Sequence, residues 1–376
     1  MRIALVINTS WNIYNFRLSL IRALLAEGHE VIAVAPQDAY SDKLIEAGCT
    51  FVPVEMDRSI NPLTDLQLIW RLYRAYKQIK PDVVLQYTIK PNIYGAIAAH
   101  WAGIPSINNV SGLGTVFITK DYISEIALRL YKLAFRYPAK VFFQNHDDKQ
   151  LFLQHNLVRE SITAVLPGSG IDTRKFVPAP VFKRNEQFVF LMVARVLYDK
   201  GIVEFVQASK LVQQKFPHVK CQLLGQIDER SRSGIAREKL YEWLATGTVE
   251  YLGTTDEVAS IITHADCVVL PSYREGTPRT LLEAAAMGKP IIATDVPGCR
   301  EVVQLGVNGF LCEVRNPTDL ATKMMKLLEL PDSKLEEMGI NSRELAVSRF
   351  DDTFVIQQYF RAIEEVTAAG KYKKKV

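Results

Sequence analysis

The stretch Pro271-Ser-Tyr-Arg-Glu-Gly-Thr-Pro-Arg-Thr-Leu-Leu-Glu283 joins a buried strand to a helix, and this junction decides the fold. The preceding apolar run, Cys267–Leu270, is typical of a parallel strand that is covered on both faces. Thr277 is predicted to cap the helix and Pro278 to take its first position, where a missing N–H costs nothing. The free N–H groups at such a helix start favour an anion at this edge of the sheet.

Two carboxylates flank the predicted helix start, Glu275 just before it and Glu283 inside it. At about 1.5 Å per residue they lie on the order of 10 Å apart along the axis, roughly the reach of a nucleotide diphosphate. A carboxylate does not bind phosphate directly, but it accepts hydrogen bonds from hydroxyls. One glutamate is therefore predicted to meet sugar hydroxyls and the other ribose hydroxyls. An ordinary capped helix with two solvated glutamates would have the same local sequence.

Length and composition favour a two-domain enzyme. The chain has 376 residues, of which 48% are hydrophobic and 23% charged, with a formal net charge of +4, so each half can build its own core. No apolar run approaches the roughly 20 residues that a membrane-spanning helix needs, and the N-terminus lacks the pattern of a signal peptide. The five cysteines are scattered, without the spacing of a disulfide framework or a zinc site. These features indicate a reduced, cytosolic protein.

Strand-like and helix-like segments alternate through both halves, which predicts an α/β fold with doubly wound parallel sheets. The Gly- and Pro-rich segment Pro167–Pro180 is predicted to be an interdomain linker. The sequence therefore predicts two Rossmann-like domains, 1–170 and 171–350, that face each other across a cleft. Residues 351–376 are predicted to form a helix that packs back toward the N-terminal domain and ends in a basic tail. In such folds the ligands contact loops at the carboxyl ends of the strands.

The second half supplies cations for a diphosphate. Arg195 and Lys200 follow a predicted strand. Arginine binds phosphate through the planar fork of its guanidinium, and lysine binds it as a point charge. Gly225 follows the next strand and can admit a flat base, against which Val258 can pack. Because the sequence contains no DxD motif, these two cations are predicted to hold the diphosphate in place of a metal ion. Together with the two glutamates, they indicate a site for a nucleotide diphosphate-sugar.

Three loops of the first half are candidates for acceptor contacts. The segment Thr9–Arg17 has no glycine fingerprint, so a dinucleotide site is not supported there. Arg17, placed near a predicted helix start, is expected to meet a phosphate or a carboxylate, or else solvent. Lys90 lies beside a proline at another helix start and suits an anion, although a surface lysine would look the same. Gly112 and Gly114 permit close backbone approach to a ligand, as a plain turn also would.

Positive charge is concentrated in the first half, where residues 58–140 contain eleven Lys and Arg against four Asp and Glu. Two predicted helices carry this charge among aromatic and aliphatic residues: one bears Arg71 and Arg74, the other a stripe of Arg129, Lys132, Arg136 and Lys140. Such helices suit an anionic membrane surface, and a solvated helix face is the alternative. Nucleic acid is disfavoured as a partner, because no recognisable binding module accompanies the basic residues.

These motifs resemble those of the retaining glycosyltransferases of family four, which have the GT-B fold. The resemblance rests on the Glu-x7-Glu pair, on Ala194-Arg with Lys200-Gly201, and on the linker Gly170-Ile-Asp with Phe176. It implies hexosyl transfer with retention from a UDP-sugar, which is a substrate, without a metal or other cofactor. The implied donor-binding residues are Arg195, Lys200, Gly225, Val258, Glu275, Gly276, Thr277, Pro278 and Glu283.

A narrower resemblance concerns Met1-Arg-Ile, Ile13-Tyr-x-Phe-Arg17, Ala35-Pro-Gln-Asp38, Gly112-Leu-Gly114 and Pro271-Ser-Tyr-x-Glu-Gly276. These segments look like those of bacterial enzymes that add N-acetylgalactosamine to diacetylbacillosamine on undecaprenyl diphosphate in N-glycan assembly. The resemblance implies UDP-GalNAc as donor, an α-1,3 linkage, and a peripheral position at the cytoplasmic face of the inner membrane. Two alternatives remain: another UDP-sugar used on a lipid-linked O-antigen or capsule acceptor, and a non-catalytic sugar-nucleotide-binding protein.

The first half departs from the family pattern at two points, because its first loop lacks a Gly-Gly pair and the loop Tyr87–Asn92 lacks a histidine. No catalytic histidine is therefore assigned in the first half. The polyprenyl-diphosphate-linked sugar acceptor is expected to contact Tyr14, Phe16, Arg17, Lys90, Asn92, Gly112 and Gly114. The residues expected to take part in catalysis are Arg195, Lys200, Glu275 and Lys90. The membrane is expected to contact Arg71, Arg74, Arg129, Lys132 and Arg136.

Overall fold

The computed structural model describes residues 1–57, 61–113, 122–179 and 187–373. It divides into two compact units, Met1–Ser169 with Asp352–Val376, and Gly170–Asp351. The boundary between the units falls within the segment 167–180. Among the described residues, no helix combines the length and the apolar character that crossing a membrane requires. Gly114 lies outside the described residues.

The first unit contains a parallel sheet, which in its described part has seven strands in the order β3-β2-β1-β4-β5-β6-β7. The strands are β1 (Arg2–Val6), β2 (Glu30–Ala35), β3 (Thr50–Pro53), β4 (Val83–Tyr87), β5 (Ser106–Val110), β6 (Lys140–Phe143) and β7 (Thr163–Val165). The helices are α1 (Ser10–Ala26), α2 (Ser41–Glu46), α3 (Pro62–Ile79), α4 (Ala96–Ala102), α5 (Tyr122–Ala134) and α6 (His146–Gln154), with a π-helical turn, Pro91–Gly95, before α4. The strand order reverses between β1 and β4, which makes their carboxyl ends the switch point.

The second unit repeats this plan with six described strands in the order β10-β9-β8-β11-β12-β13, again all parallel. The strands are β8 (Val189–Val193), β9 (Lys220–Leu224), β10 (Glu250–Tyr251), β11 (Cys267–Leu270), β12 (Ile291–Thr294) and β13 (Gly309–Cys312). The helices are α7 (Ile202–Lys215), α8 (Arg237–Leu244), α9 (Val258–Thr263), α10 (Arg279–Ala286), α11 (Pro297–Arg300), α12 (Pro317–Leu328) and α13 (Asp332–Leu345). The switch point of this unit lies between β8 and β11. The prediction of two Rossmann-like units with parallel sheets is confirmed.

The central strands are apolar because helices cover both faces of each sheet. On β1, Ala4 and Val6 belong to one core cluster with α3, α4 and α5. Ile3 and Leu5 belong to another cluster with α1. This alternation follows from the two-residue period of a strand, which sends successive side chains to opposite faces.

The first helix begins earlier than predicted. Thr9 is its N-cap, and the Thr9 Oγ1 atom accepts a hydrogen bond from the backbone N–H of Asn12 at 3.1 Å. Because α1 starts at Ser10, Arg17 lies in the middle of the helix and not near its start, so that prediction was wrong. The expectation of a solvated Arg17 was also wrong, since only 6% of the residue is exposed.

The basic stripe predicted for one helix is shorter than expected. Helix α5 ends at Ala134, Arg136 follows in a turn, and Lys140 is the first residue of β6. Pro138 accounts for this, because the residue before a proline disfavours the α conformation and a helix ends near it. The prediction of one helical stripe is therefore wrong beyond Lys132.

The last helix, α14 (Asp352–Lys373), belongs to the first unit. Val355, Tyr359 and Ile363 are buried in the core cluster that also contains residues of β1 and α1. The Tyr359 hydroxyl accepts a hydrogen bond from the Asn109 side-chain amide at 2.8 Å. Its burial raises the pKa of Tyr359, opposed by the positive charge of Arg17. This helix therefore closes one face of the first sheet.

If α14 is part of the first core, replacing a buried residue on it should destabilise the fold. We expect Ile363→Ala to lower the free energy of unfolding by about 2–5 kcal/mol, because it leaves a cavity in the core that α14 shares with α1 and β4. The neighbouring exposed Glu364→Ala is the matched control, with an expected effect within about 0.5 kcal/mol. Chemical denaturation measures both, and equal effects of the two substitutions would contradict the packing.

Candidate active site

The switch point of the second unit brings two loops into backbone contact. One loop follows β8 and runs through a 3₁₀ turn, Tyr198–Lys200, into α7. The other follows β11 and begins at Pro271. Gly201 has a φ of 76°, and a Cβ atom there would lie 2.1 Å from the Pro271 carbonyl oxygen. Only glycine fits this approach, so the two loops are held together at the position where doubly wound folds bind ligands.

Lys200 and Glu275 form an ion pair at this junction. The Lys200 Nζ atom lies 2.6 Å from Glu275 Oε1, and both side chains are largely buried. Burial, and then the nearby Glu275 carboxylate, raise the pKa of the adjacent Cys299 thiol. Since an ammonium group has three N–H donors, Lys200 can hold Glu275 and still donate to a ligand. The pair was predicted as two separate ligand contacts, and the structure shows that they also orient each other.

Arg195 has a different partner from Lys200. Its Nη1 atom lies 3.2 Å from Asp228 Oδ2, and 56% of the arginine side chain is exposed. Exposed ion pairs of this kind contribute little to stability, so the guanidinium can leave Asp228 for a ligand at small cost. Asp228 was not anticipated, because it lies 33 residues away in sequence and no local pattern links the two residues.

The prediction that Thr277 caps the helix and that Pro278 opens it was wrong. Pro278 itself is the N-cap, with a ψ of 119°, and α10 begins at Arg279 without a side-chain cap. The extended backbone of the proline moves the helix start by one residue. Gly276 stays in the loop, where a Cβ atom on the neighbouring Gly298 would lie 2.0 Å from its carbonyl oxygen. The loop from β11 to α10 is therefore packed backbone against backbone.

Glu283 forms an ion pair with Arg279 of the same helix. Its Oε1 atom accepts a hydrogen bond from Arg279 Nε at 3.1 Å, and Arg279 also donates to the Gly170 carbonyl oxygen at 3.3 Å. Burial raises the pKa of Glu283, whereas Arg279 and then Lys175 act to lower it. Arg279 was missed, although its i, i+4 spacing to Glu283 is a readable signal. The second carboxylate of the motif is thus a buried and oriented group.

Gly225 and Val258 lie in the same unit. Gly225 has a φ of 155°, and a Cβ atom there would meet the Ala194 carbonyl oxygen at 1.8 Å. The Tyr251 hydroxyl donates a hydrogen bond to the Gly225 carbonyl at 2.8 Å. Val258 is the first residue of α9 and packs partly buried against the core. The structure therefore requires glycine at position 225 for packing.

Tyr273, in the loop after β11, contacts both the loop after β8 and Glu204 of α7, and neither residue was predicted to have this role. The Tyr273 hydroxyl donates to Glu204 Oε1 at 2.8 Å, and its backbone N–H donates to the Asp199 carbonyl at 2.9 Å. The Arg315 guanidinium lies 4.5 Å above the Tyr273 ring. Burial, then Glu204, raises the pKa of Tyr273 to about 12. No sequence signal links these residues, because they meet only through the sheet order.

In the first unit, Lys90 is paired as well. Its Nζ atom lies 2.6 Å from Asp65 Oδ1, and the Tyr94 hydroxyl donates to Asp65 Oδ2 at 2.8 Å. Lys90 directly precedes the π-helical turn, and Thr88 before it has a φ of 62°. A β-branched residue with positive φ is strained, and such strain and π-helical turns occur often at functional sites. Lys90 is therefore a largely buried, oriented cation and not a surface lysine.

The other predicted acceptor residues differ in their exposure. Asn92 is buried, and its side-chain amide donates to the Asn109 carbonyl at 2.8 Å, so it holds the loop in place. Gly112 is partly exposed and has a φ of 137°. Tyr14 contacts the Tyr40 ring at 5.7 Å, whereas Phe16 packs edge-on against Trp11 at 5.3 Å. Of this set, the structure brings Asn92 close to β5 and leaves both aromatic side chains half-buried on α1.

Four of the predicted membrane residues lie on α3 and α5, and the fifth, Arg136, lies in the turn after α5. Arg71, Arg74, Arg129, Lys132 and Arg136 are all exposed. Exposed apolar residues accompany them: Leu63, Leu66 and Trp70 on α3, and Ile126 and Leu133 on α5. Tyr131 and Phe135, which are close in sequence to these basic residues, are buried in the core. The outer faces of α3 and α5 are therefore both basic and apolar.

The Tyr273–Glu204 hydrogen bond should stabilise the second unit. The substitution Tyr273→Phe keeps the ring that packs against Arg315 but removes the hydroxyl that donates a hydrogen bond to Glu204 Oε1. The other carboxylate oxygen, Oε2, is already buried without a hydrogen-bond partner among the described residues. We expect the free energy of unfolding to fall by about 1–3 kcal/mol. Tyr241→Phe, at an exposed tyrosine of α8, is the control and should change it by less than about 0.5 kcal/mol. Adding Glu204→Gln should restore part of the loss, and equal stability of all variants would contradict the role.

Two family profiles together match most of the chain. The one described as Glycosyl transferases group 1 matches residues 173–345, and the one described as Glycosyl transferase 4-like matches residues 2–145. The N,N'-diacetylbacillosaminyl-diphospho-undecaprenol alpha-1,3-N-acetylgalactosaminyltransferase of Campylobacter jejuni is 30% identical over 97% of this chain and 99% of its own length. The UDP-Gal:alpha-D-GlcNAc-diphosphoundecaprenol alpha-1,3-galactosyltransferase of Escherichia coli is 26% identical over 84% of this chain and 83% of its own length.

Solved structures agree in fold. Anabaena HepE in complex with UDP and glucose superposes with a TM-score of 0.79 at 20% identity, covering 97% of this chain and 99% of HepE. Sucrose-phosphate synthase from Thermosynechococcus elongatus superposes with a TM-score of 0.81 at 18% identity, covering 98% of this chain and 100% of the synthase chain. Both family profiles, the full-length relative and the two doubly wound units lead to one conclusion. The chain belongs to the family-four glycosyltransferases of the GT-B fold, and it is a hexosyltransferase.

Proposed function

We propose that this enzyme transfers N-acetylgalactosamine, with retention, from UDP-GalNAc to diacetylbacillosamine on undecaprenyl diphosphate, forming an α-1,3 linkage in bacterial N-glycan assembly. The observation that carries the proposal is the 30% identity to the Campylobacter jejuni transferase over nearly the full length of both chains. Similarity of this extent covers the first unit as well as the second. It therefore includes the half of the chain that is expected to choose the acceptor.

The proposed donor site is the switch point of the second unit. The charges there match a UDP-sugar, because Lys200 and Arg195 can meet the diphosphate and Glu275 can accept from sugar hydroxyls. Glu283 accepts from the ribose hydroxyls, with Gly276, Thr277 and Pro278 lining the loop between the two glutamates. In this proposal the base lies at Gly225 and Val258. No metal is required, because the two cations balance the charge of the diphosphate.

The proposed chemistry is the one that membership in this retaining family implies, and the Lys200–Glu275 ion pair supports it. The acceptor hydroxyl attacks the anomeric carbon on the face from which UDP departs, as the bond to the diphosphate oxygen breaks. The departing phosphate takes the hydroxyl proton, so no protein nucleophile is needed. Lys200 and Arg195 stabilise the negative charge that develops on UDP, and Glu275 keeps both the lysine and the sugar in position. Lys90, held by Asp65, is proposed to position the acceptor.

A second candidate function has support from another relative. The Escherichia coli galactosyltransferase named above acts on a GlcNAc-diphosphoundecaprenol acceptor and is 26% identical over 84% of this chain. Transfer of a different UDP-sugar to a lipid-linked O-antigen or capsule acceptor is therefore the alternative. Both candidates share the polyprenyl diphosphate on the acceptor and differ in the two sugars.

A UDP-release assay separates these candidates. UDP-GalNAc, UDP-GlcNAc, UDP-Gal and UDP-Glc are each combined with undecaprenyl diphosphate that carries diacetylbacillosamine or GlcNAc. We expect the highest turnover with UDP-GalNAc and the diacetylbacillosamine acceptor, and no loss when EDTA is added. Lys200→Met should lower turnover on the order of 100-fold, because it removes charge stabilisation from the leaving UDP.

The control for that variant is Lys210→Met, which removes an exposed lysine from α7 and should leave turnover unchanged. A preference for UDP-Gal with the GlcNAc acceptor would support the second candidate instead. Release of UDP with none of the eight combinations would contradict transfer of any of these four sugars to either acceptor. Unchanged turnover of Lys200→Met would remove this residue from the donor site.

We propose further that the enzyme is peripheral at the cytoplasmic face of the inner membrane, where its lipid-linked acceptor lies. The support is the outer surface of α3 and α5, where exposed basic residues accompany exposed Trp70, Leu66 and Leu133. Basic side chains are attracted to anionic lipid, and apolar ones enter the interface. The exposed apolar residues favour membrane contact over the alternative of a helix face that contacts only water.

Vesicle co-sedimentation tests this surface. We expect the protein to sediment with phosphatidylglycerol vesicles and not with phosphatidylcholine vesicles. Reversal in Arg71→Glu/Arg74→Glu, or in Arg129→Glu/Lys132→Glu/Arg136→Glu, should weaken binding about fivefold or more per residue. The matched control is Lys210→Glu/Lys220→Glu, at exposed lysines of the second unit. Undiminished binding of both first-unit variants would exclude α3 and α5 as the contact.

A further inference from the structure

Arg17 is a buried cation at the switch point of the first unit. Only 6% of the residue is exposed, and its guanidinium lies 4.3 Å above the ring of Tyr87, the last residue of β4. β4 and β1 are the strands between which the order reverses, and ligands of doubly wound sheets bind at that position. Arg17 therefore lies where a ligand of this unit would be expected.

The guanidinium of Arg17 is poorly satisfied within the described protein. Nη1 donates to the Phe16 carbonyl oxygen at 2.9 Å, whereas Nε is buried without an acceptor. Among the described residues, no carboxylate lies at ion-pair distance, and the groups around it are the uncharged Tyr87 and Tyr359. A buried charge is unfavourable unless it is paired and hydrogen-bonded. An anion from outside the chain would supply the missing partner.

The usual anion site of such a unit, the start of its first helix, is already occupied by the protein. The backbone N–H of Asn12 donates to Thr9 Oγ1 at 3.1 Å. The backbone N–H of Trp11 donates to the carboxylate of Asp38, also at 3.1 Å. A phosphate group would meet the negative charge of Asp38 there. Arg17, further along the same helix, is a buried cation without a carboxylate partner among the described residues, so it can receive a phosphate in this part of the unit.

We infer that Arg17 is the receptor for the diphosphate group of the polyprenyl-linked acceptor. A guanidinium binds a phosphate through two parallel N–H donors, and Nε with one Nη group provides such a pair. The inference rests on the proposed function for the identity of the ligand, a polyprenyl-linked acceptor. That the ligand carries a diphosphate is argued from the chemistry of Arg17 alone. It gives the first unit a subsite for the acceptor's charged group, separate from the contacts to its sugar.

A binding experiment tests this subsite without turnover. Saturating UDP first fills the donor site of the second unit, and calorimetry then measures the binding of geranyl diphosphate, a short soluble prenyl diphosphate. Wild-type protein should bind it. Arg17→Met should weaken binding on the order of 10- to 100-fold, because it removes a charge-assisted hydrogen-bonded pair, and Arg17→Lys should retain part of the affinity. The control Arg22→Met, at an exposed arginine of α1, should bind as the wild type does.

Stability distinguishes a receptor from a structural arginine. We expect the melting temperature of Arg17→Met without ligand to equal or exceed that of the wild type, because replacing a buried unpaired charge by an apolar group is neutral or stabilising. A lower melting temperature would indicate a structural role and overturn the inference. Failure of UDP-saturated wild-type protein to bind geranyl diphosphate, or equal binding by Arg17→Met, would also overturn it.

Inorganic pyrophosphate and geraniol separate the two parts of the ligand. Arg17-dependent binding of pyrophosphate would support recognition of the diphosphate itself, whereas binding of geraniol as tight as that of geranyl diphosphate would contradict it. Because none of these measurements needs a sugar donor to react, their failure is distinguishable from a failure in the UDP-release assay. A transferase with a different donor sugar could still have this subsite.

Discussion

The ion pair between Lys200 and Glu275 is the constraint on which the active site of the second unit depends. A lysine and a glutamate at 2.6 Å, both largely buried, are stable only if the loops that carry them cannot separate. Gly201 provides that condition, because its lack of a Cβ atom allows the backbone to touch the carbonyl of Pro271. The sheet order provides it too, by making β8 and β11 neighbours. The pair is thus a consequence of packing as much as of charge.

The same topology appears in the first unit with different chemistry. There the carboxyl end of β4 carries the Lys90–Asp65 pair, a strained Thr88 and the buried Arg17. At the switch point of the second unit, Lys200 is paired with Glu275, and the more exposed Arg195 is paired with Asp228. In the first unit, by contrast, Arg17 is buried and has no carboxylate at ion-pair distance among the described residues. The two units therefore share one architecture but have different charged groups at their switch points.

Much of the fold could be predicted from the sequence, because buried parallel strands have a distinctive composition. The apolar run Cys267–Leu270 was predicted as a buried strand and is β11. Helix starts were less certain, since they depend on the backbone angle of single residues. Pro278 has an extended ψ and became the cap of α10, and Thr9 began α1 well before the predicted start. The strand β7, three residues long, was missed because so short a segment has no periodicity.

The sequence by itself determined the alternation of strands and helices, the membership in the family, and the residue types at the carboxyl ends of the central strands. It also carried one local partner, Arg279, because residues four apart on a helix are neighbours. Only the tertiary structure decided which charges meet. Lys200 and Glu275 are 75 residues apart, and Tyr273 and Glu204 are 69 apart. Such partners are set by strand order and backbone contact, which no local spacing records, and the burial of Arg17 was decided in the same way.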